Sequence, residues 1–162
     1  MKTYKLNDLN NPLISVLMPA YNAEKYIKEA IESILNQTFS NFEFIIIDDG
    51  SIDATEEIIK SFKDSRIVYI KNEKNLGLIK TLNKGISIAR GEFIARMDSD
   101  DISMPQRFEL QLDVFKKYKG VDIVNVALKK MSEDGTKLSK YRHNIYPGFE
   151  AIHYLINIDT FI

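Results

Sequence analysis

Four residues between an apolar run and a proline carry the most chemistry in this chain: Asp98, Ser99, Asp100 and Asp101, within GEFIARMDSDDISMP at residues 91–105. On an extended backbone, residues two apart point to the same side, so Asp98 and Asp100 would converge on one ligand while Ser99 faces away. Carboxylates crowded in this way repel one another unless a cation, a base or solvent relieves them. Oxygen-only ligation suits Mg²⁺ or Mn²⁺. A solvated turn that caps the next helix is the plainer account of an isolated D-x-D, so the elements around it have to decide.

Those elements read as strands and helices in alternation. Residues 13–18 (LISVLM) are a continuous apolar run, as in a strand buried on both faces, and the run stops at Pro19. Residues 24–36 then set Ile27, Ala30, Ile31, Ile34 and Leu35 on one helical stripe. A second buried strand over 42–47 (FEFIII) ends in Asp48, Asp49, Gly50 and Ser51, and Asp53 with Glu56 has the spacing of a capping box opening a short helix. A third strand over 66–70 precedes a helix with Leu78, Ile79, Leu82, Ile86 and Ala89 on one side, and Gly91 sits where a C-cap glycine belongs. Residues 92–97 form the fourth strand, and Pro105 suits the first turn of a helix with Phe108, Leu112 and Phe115 inward. A further strand is expected over 121–128, paired as a hairpin through the turn at Glu133, Asp134 and Gly135, with a last short helix over 148–157.

This order predicts an α/β fold: a mostly parallel central sheet flanked by helices, with a C-terminal antiparallel hairpin. Ligands of such sheets bind at the carboxyl ends of the strands. Three polar clusters fall at such ends, residues 19–22, 48–51 and 98–101, and should share one rim. Turn chemistry explains any one of them but does not require aspartates to concentrate there, which favours a metal and phosphate site.

Composition bounds the alternatives. At 162 residues and 44% hydrophobic content, the chain suffices for a single domain with its own core. A net charge of −1 does not advertise nucleic acid as a partner. The absence of cysteine excludes disulfides and thiolate metal sites and makes a reducing cytoplasm the default. The leader MKTYKLNDLNNP has no apolar core of a signal peptide, and no run reaches membrane-span length, so a cytoplasmic protein is expected. Lys129, Lys130, Lys137, Lys140 and Arg142 read as a solvated edge, with the inner face of a membrane as the other surface they would suit. His143 and His153 form no metal-ligand pattern.

Three segments in order, ISVLMPAYNAEKYIKEAIESILNQTF, FEFIIIDDGSIDAT and NLGLIKTLNKGISIARGEFIARMDSDD, resemble the donor-binding half of family 2 inverting glycosyltransferases of the Rossmann-like GT-A fold. The resemblance covers residues 13–131 as a nucleotide-diphospho-sugar-binding core, with 132–162 as the start of an incomplete acceptor-side region. It implies transfer of a sugar from a nucleoside diphosphate sugar, most often a UDP-sugar, to a saccharide or lipid-linked acceptor hydroxyl, with Mn²⁺ or Mg²⁺ as cofactor. Polysaccharide or lipopolysaccharide synthesis is the setting it suggests.

Carried over by position, Pro19, Ala20, Tyr21 and Asn22 match the family's first loop, with Pro19 and Tyr21 bordering the nucleobase. The flat ring of Tyr21 suits stacking on uracil, though packing against the first helix is the plainer account. Asp48 and Asp49 match the second motif, where Asp49 would accept a hydrogen bond from the base. Gly77, Lys80 and Asn83 match a segment near the nucleotide, although a lysine on a helix is ordinarily just solvated. Asp98 and Ser99 fall on the ribose and metal side, Asp100 matches the direct metal ligand with Asp98 beside it, and Asp101 would support them. Arg96 would neutralise phosphate or pair with a nearby carboxylate.

An inverting enzyme also needs a general base for the acceptor hydroxyl. The family's base lies beyond the fifth strand, and Glu133, Asp134, Glu150 and Asp159 lack its context, so the catalytic base stays unassigned and the chain is expected to be truncated at its C-terminus. A noncatalytic nucleotide-binding or assembly module, self-associating through its exposed face, is the alternative. A sugar nucleotidylyltransferase would want a glycine-rich loop after the first strand, and PAYNAEKY is not one.

Overall fold

The computed structural model describes residues 12–126, 130–132 and 138–139. Four parallel strands, β1 (Ile14–Ala20), β2 (Phe42–Asp48), β3 (Ile67–Lys71) and β4 (Phe93–Arg96), form one sheet in the order β3-β2-β1-β4. Helices α1 (Ile27–Leu35), α2 (Thr55–Ser61) and α3 (Leu78–Ile88) link successive strands, and α4 (Arg107–Lys117) follows β4. The strand order reverses at β1, so the carboxyl ends of β1 and β4 flank the topological switch point, where open α/β sheets take their ligands.

Strand alternation assigns the two faces. Val16, Met18, Phe44, Ile46 and Ala95 join Ile27, Ile31 and Ile34 of α1, Ile59 of α2, and Phe108 and Leu112 of α4 in the larger core. Leu17, Ile45 and Ile47 point the other way and pack against Leu82 of α3 and Ala89 just beyond its end. The continuous apolar runs of β1 and β2 thus reflect burial on both faces. Phe42 and Phe108 meet edge to face at 5.5 Å, locking α4 onto the start of β2.

Several local expectations are corrected. Strand β1 runs on through Pro19 to Ala20. Its odd-numbered residues face β4, as when Leu17 O accepts from Met97 N, and β4 ends opposite Leu17. The N–H that Pro19 lacks would therefore face no strand. Helix α3 turns Thr81 and Gly85 to the sheet, while Leu78, Ile79 and Ile86 are exposed. The small strip wins because a Cβ on Gly85 would already stand 3.2 Å from Leu17 and 3.3 Å from Ile47, so a larger residue there would hold the helix off. Gly91 is not a C-cap: α3 ends at Ala89 in extended conformation, and a Cβ on Gly91 would lie 2.4 Å from Ser15 N. Close approach of two backbones is what requires glycine there.

Helix α4 starts at Arg107, two residues after Pro105, whose carbonyl accepts from Thr38 N. Residues 121–126 form no strand. Val124 and Val126 are buried, but Val124 O accepts from Gln111 Nε2 of α4, so the alternation there reports packing rather than a ladder. The antiparallel pair forms further along than expected, between β5 (Lys130–Met131) and β6 (Leu138–Ser139) rather than from a strand over 121–128. The turn at 133–135 and the helix expected over 148–157 lie outside the described residues. No helix among the described residues is long and apolar enough to cross a membrane.

Candidate functional site

The loops after β1 and β2 are built as one unit. Asn22, at φ +49°, donates from its N–H to Ser51 Oγ at 3.0 Å, and its Oδ1 accepts from Ile52 N at 3.1 Å. Ala23 N donates to Thr55 Oγ1 and Glu24 N to Asp53 Oδ2, while Glu24 Oε2 accepts from Ala54 N. These contacts replace the expected capping box. Asp53 does accept from Thr55 N, but Glu56 pairs with Lys60 and Lys71 instead of reaching back, and those contacts lower its pKa to about 2. Helix α1 correspondingly begins at Ile27 rather than residue 24. Pro19 is half-buried and Ala20 buried within β1, and Tyr21 is left 48% exposed at the rim.

The two aspartates after β2 differ sharply. Asp48 is fully buried, accepting from Ser51 N at 2.8 Å and from the Tyr69 hydroxyl at 3.3 Å, with Lys71 Nζ at 3.8 Å. It braces the turn from below. Asp49, 4% exposed, clamps the β3–α3 loop: Oδ1 accepts from Asn72 Nδ2 at 2.8 Å and Leu76 N at 2.9 Å, and Oδ2 from Gly77 N at 2.9 Å. Burial works to raise its pKa, but the bonds from Leu76, Asn72, Thr81 and Gly77 outweigh that and hold it below the usual carboxylate range. Gly50 closes the turn at φ +78°, and a Cβ there would meet Lys74 C at 2.7 Å.

Lys80 and Asn83 are exposed on α3, and Lys84 is the lysine that joins the clamp, donating to Asn72 Oδ1 at 2.6 Å.

The acidic segment is a turn, not an extended strand end, since Asp101 N reaches Asp98 O at 3.3 Å. The two-residue alternation expected of Asp98 and Asp100 therefore does not apply, and their surroundings differ. Asp98 is gripped by Arg96, whose Nε and Nη2 lie 3.0 and 3.1 Å from its two oxygens. Ser99 is half-buried, while Asp100 is exposed, with no partner among the described residues. No group of three or more His, Asp or Glu side chains among the described residues is gathered to hold a metal alone. One or two carboxylates completed by substrate phosphates is the way Mg²⁺ is ordinarily held, and Asp100 with Asp98 fits that donor set.

Beneath the turn lies a residue that the sequence reading passed over. Arg107 is fully buried, its Nη2 donating to Arg96 O at 2.9 Å and its Nε to Gln111 Oε1 at 3.2 Å. Burial pushes its pKa down to about 9, partly offset by the charges of Asp101 and Asp98, so it stays a cation at neutral pH. The one sequence signal was an arginine beside Phe108 on the inward face of α4.

The chain is similar to known proteins along most of its length. It matches Glycosyl transferase family 2 across residues 15–161. It is 42% identical over 153 residues to an uncharacterized glycosyltransferase, MJ1057, of Methanocaldococcus jannaschii, covering 92% of this chain and 53% of that one. To the Escherichia coli UDP-Glc:α-D-GlcNAc-diphosphoundecaprenol β-1,3-glucosyltransferase WfgD it is 37% identical, covering 72% and 49%. The chain thus spans about half the length of these relatives. Among solved structures, Staphylococcus aureus TarS 1-349 in complex with UDP-GlcNAc superposes with a TM-score of 0.66 at 30% identity, covering 74% of this chain and 34% of TarS. The parallel sheet, its switch point between β1 and β4 and the match across residues 15–161 agree: the chain belongs to glycosyl transferase family 2.

Proposed function

We propose that this chain is the donor-binding part of a glycosyltransferase that moves a sugar from a nucleoside diphosphate sugar, a UDP-sugar, to an acceptor hydroxyl with inversion. The observation that carries the reading is the acidic turn at 98–101 at the switch point of the sheet, on the same rim as the exposed ring of Tyr21. Tyr21 offers a flat face for the base. Asp49 has most of its lone pairs committed to the β3–α3 loop and keeps at most one for a base N–H, so its larger task is to hold the loop carrying Gly77. Asp48 and Ala20 are supports, and Asn22 fixes the loop that presents Tyr21.

Asp100, with Asp98, would hold Mn²⁺ or Mg²⁺ against the diphosphate, where a divalent cation neutralises charge developing on the leaving group. Arg96 would contribute a further positive charge as its grip on Asp98 is shared. The residue that takes the acceptor proton is not among those described. UDP-sugar use is supported by the names of WfgD and of the TarS complex. A saccharide or lipid-linked acceptor on the cytoplasmic side of a membrane belongs to the same reading.

Calorimetric titration of the chain with UDP, with and without Mn²⁺, tests it. Metal-dependent binding that is lost in Asp100→Ala is expected. Absence of any UDP binding would sink the proposal, and binding without transfer to any acceptor would favour a noncatalytic module.

A further inference from the structure

Burying a guanidinium is costly, and a helix needing only an apolar neighbour for Phe108 would be served as well by leucine or methionine. Arg107 is nevertheless the largest fully buried side chain among the described residues. Its Nη2 binds the carbonyl of Arg96, the last residue of β4, and its Nη1 lies 3.7 Å from Met97 Sδ, so it touches the two residues leading into the acidic turn. The carboxylates that act on its charge are Asp101 and Asp98. Gln111, which accepts from Arg107 Nε, itself donates to Val124 O, anchoring the fork from behind.

The far end of the turn is held independently. Gln37 donates to Ser103 Oγ at 3.2 Å and to Met104 O at 2.8 Å, and Ser103 N donates to Ser33 Oγ at 3.0 Å. The segment is therefore pinned at both ends, with exposed Asp100 between the pins.

We propose that Arg107 is the positioning residue of the acidic turn: its buried fork fixes the backbone at Arg96 and its charge steadies Asp98 and Asp101, so that the turn holds a diphosphate-binding shape before any ligand arrives. The diphosphate clause rests on the donor-binding reading above. Arg107 itself touches no substrate and acts through Asp98 and Asp101.

The test uses the full chain and two variants, Arg107→Met and Arg107→Lys, with UDP and UMP each titrated in the presence of Mn²⁺, and amide hydrogen exchange followed over residues 97–103. In Arg107→Met, UDP affinity should fall about tenfold, the loss expected for one charge-assisted hydrogen bond. UMP, lacking the second phosphate, should lose less than about twofold, and exchange over 97–103 should quicken about tenfold without ligand. Arg107→Lys should recover part of the loss, because it keeps the charge but cannot bond Arg96 O and Gln111 together. Should Arg107→Met fail to fold, the lysine variant carries the comparison, with about threefold changes expected in UDP affinity and exchange. Equal losses on UDP and UMP, unchanged UDP affinity, or unchanged exchange would overturn the proposal. If the parent chain binds no UDP, the donor-binding reading falls, and the exchange measurement alone decides whether Arg107 holds the turn.

Discussion

Replacing Asp49 by asparagine probes the clamp on the β3–α3 loop with almost no change of shape. The carboxylate accepts from Asn72 and Leu76 on Oδ1 and from Gly77 on Oδ2. The asparagine amide will turn its oxygen toward the pair and its NH₂ toward Gly77 N–H, losing one charge-assisted bond and reducing two others to neutral strength. At about 1.5–3 kcal/mol for a charged bond and about 1 for a neutral one, the gross loss is about 4 kcal/mol. Removing a buried charge returns about 1–2 of this, leaving a net cost of about 2–3 kcal/mol. For a chain of this size that lowers Tm by about 5–10 °C at neutral pH, readable by circular dichroism.

The pH dependence gives the sharper check. Asp49 is held below the ordinary aspartate value of 3.8, so its stabilisation is complete above that pH and disappears as the pH falls through the lower, folded-state value. The gap between parent and Asp49→Asn should therefore be flat from neutral pH down to about 5 and close in stronger acid, where the parent's Asp49 takes up its proton. A gap under about 2 °C at neutral pH, or one that widens with acid, would refute the account of Asp49 as an ionised clamp.

Two other substitutions have outcomes fixed by packing. Phe108→Ala should cost about 3–5 kcal/mol in a urea titration, since the ring is fully buried and stacks edge-on to Phe42; a loss below about 1 kcal/mol would mean α4 is not part of the core. Gly91→Ala drives a methyl to 2.4 Å from Ser15 N, where only backbone can yield, so about 3 kcal/mol or more should be lost, with weakened Gly91 N to Ser15 Oγ bonding; a parent-like melt would contradict the close approach of the two backbones.

The parts of this fold that could be read in advance are those set by long apolar runs. LISVLM at residues 13–18 and FEFIII at 42–47 read as doubly buried strands, and with the two shorter strand segments that follow, all separated by helical stripes, they leave little choice but a parallel sheet. What escaped the sequence was direction at the scale of single side chains. Asp48 and Asp49 are equal in the sequence, yet one faces Tyr69 from inside and the other ties down a loop starting at Asn72, a partner 23 residues away. The apolar count on α3 pointed to Leu78, Ile79 and Ile86, but closeness to the sheet is set by the smallest residues, Thr81 and Gly85. Pairwise spacing assumed an extended backbone at Asp98 and Asp100, and a single i to i+3 bond makes it a turn. Arg107 was hidden for the opposite reason: a charged residue in a helix is read as solvated until a burial site with acceptors is seen.

The cross-bonded loops after β1 and β2 carry an implication for how chains of this kind can vary. Surface loops usually accept added or deleted residues at little cost because their backbone owes nothing to other segments. Here Asn22, Ala23 and Glu24 each meet a fixed partner between Ser51 and Thr55. One residue inserted after Tyr21 would slide every one of these pairs out of step and strand the first turn of α2, whose seven residues are too few to persist unaided. These two loops should therefore keep their lengths as strictly as the strands do, and diversification should be carried by side chains such as Tyr21 rather than by insertion.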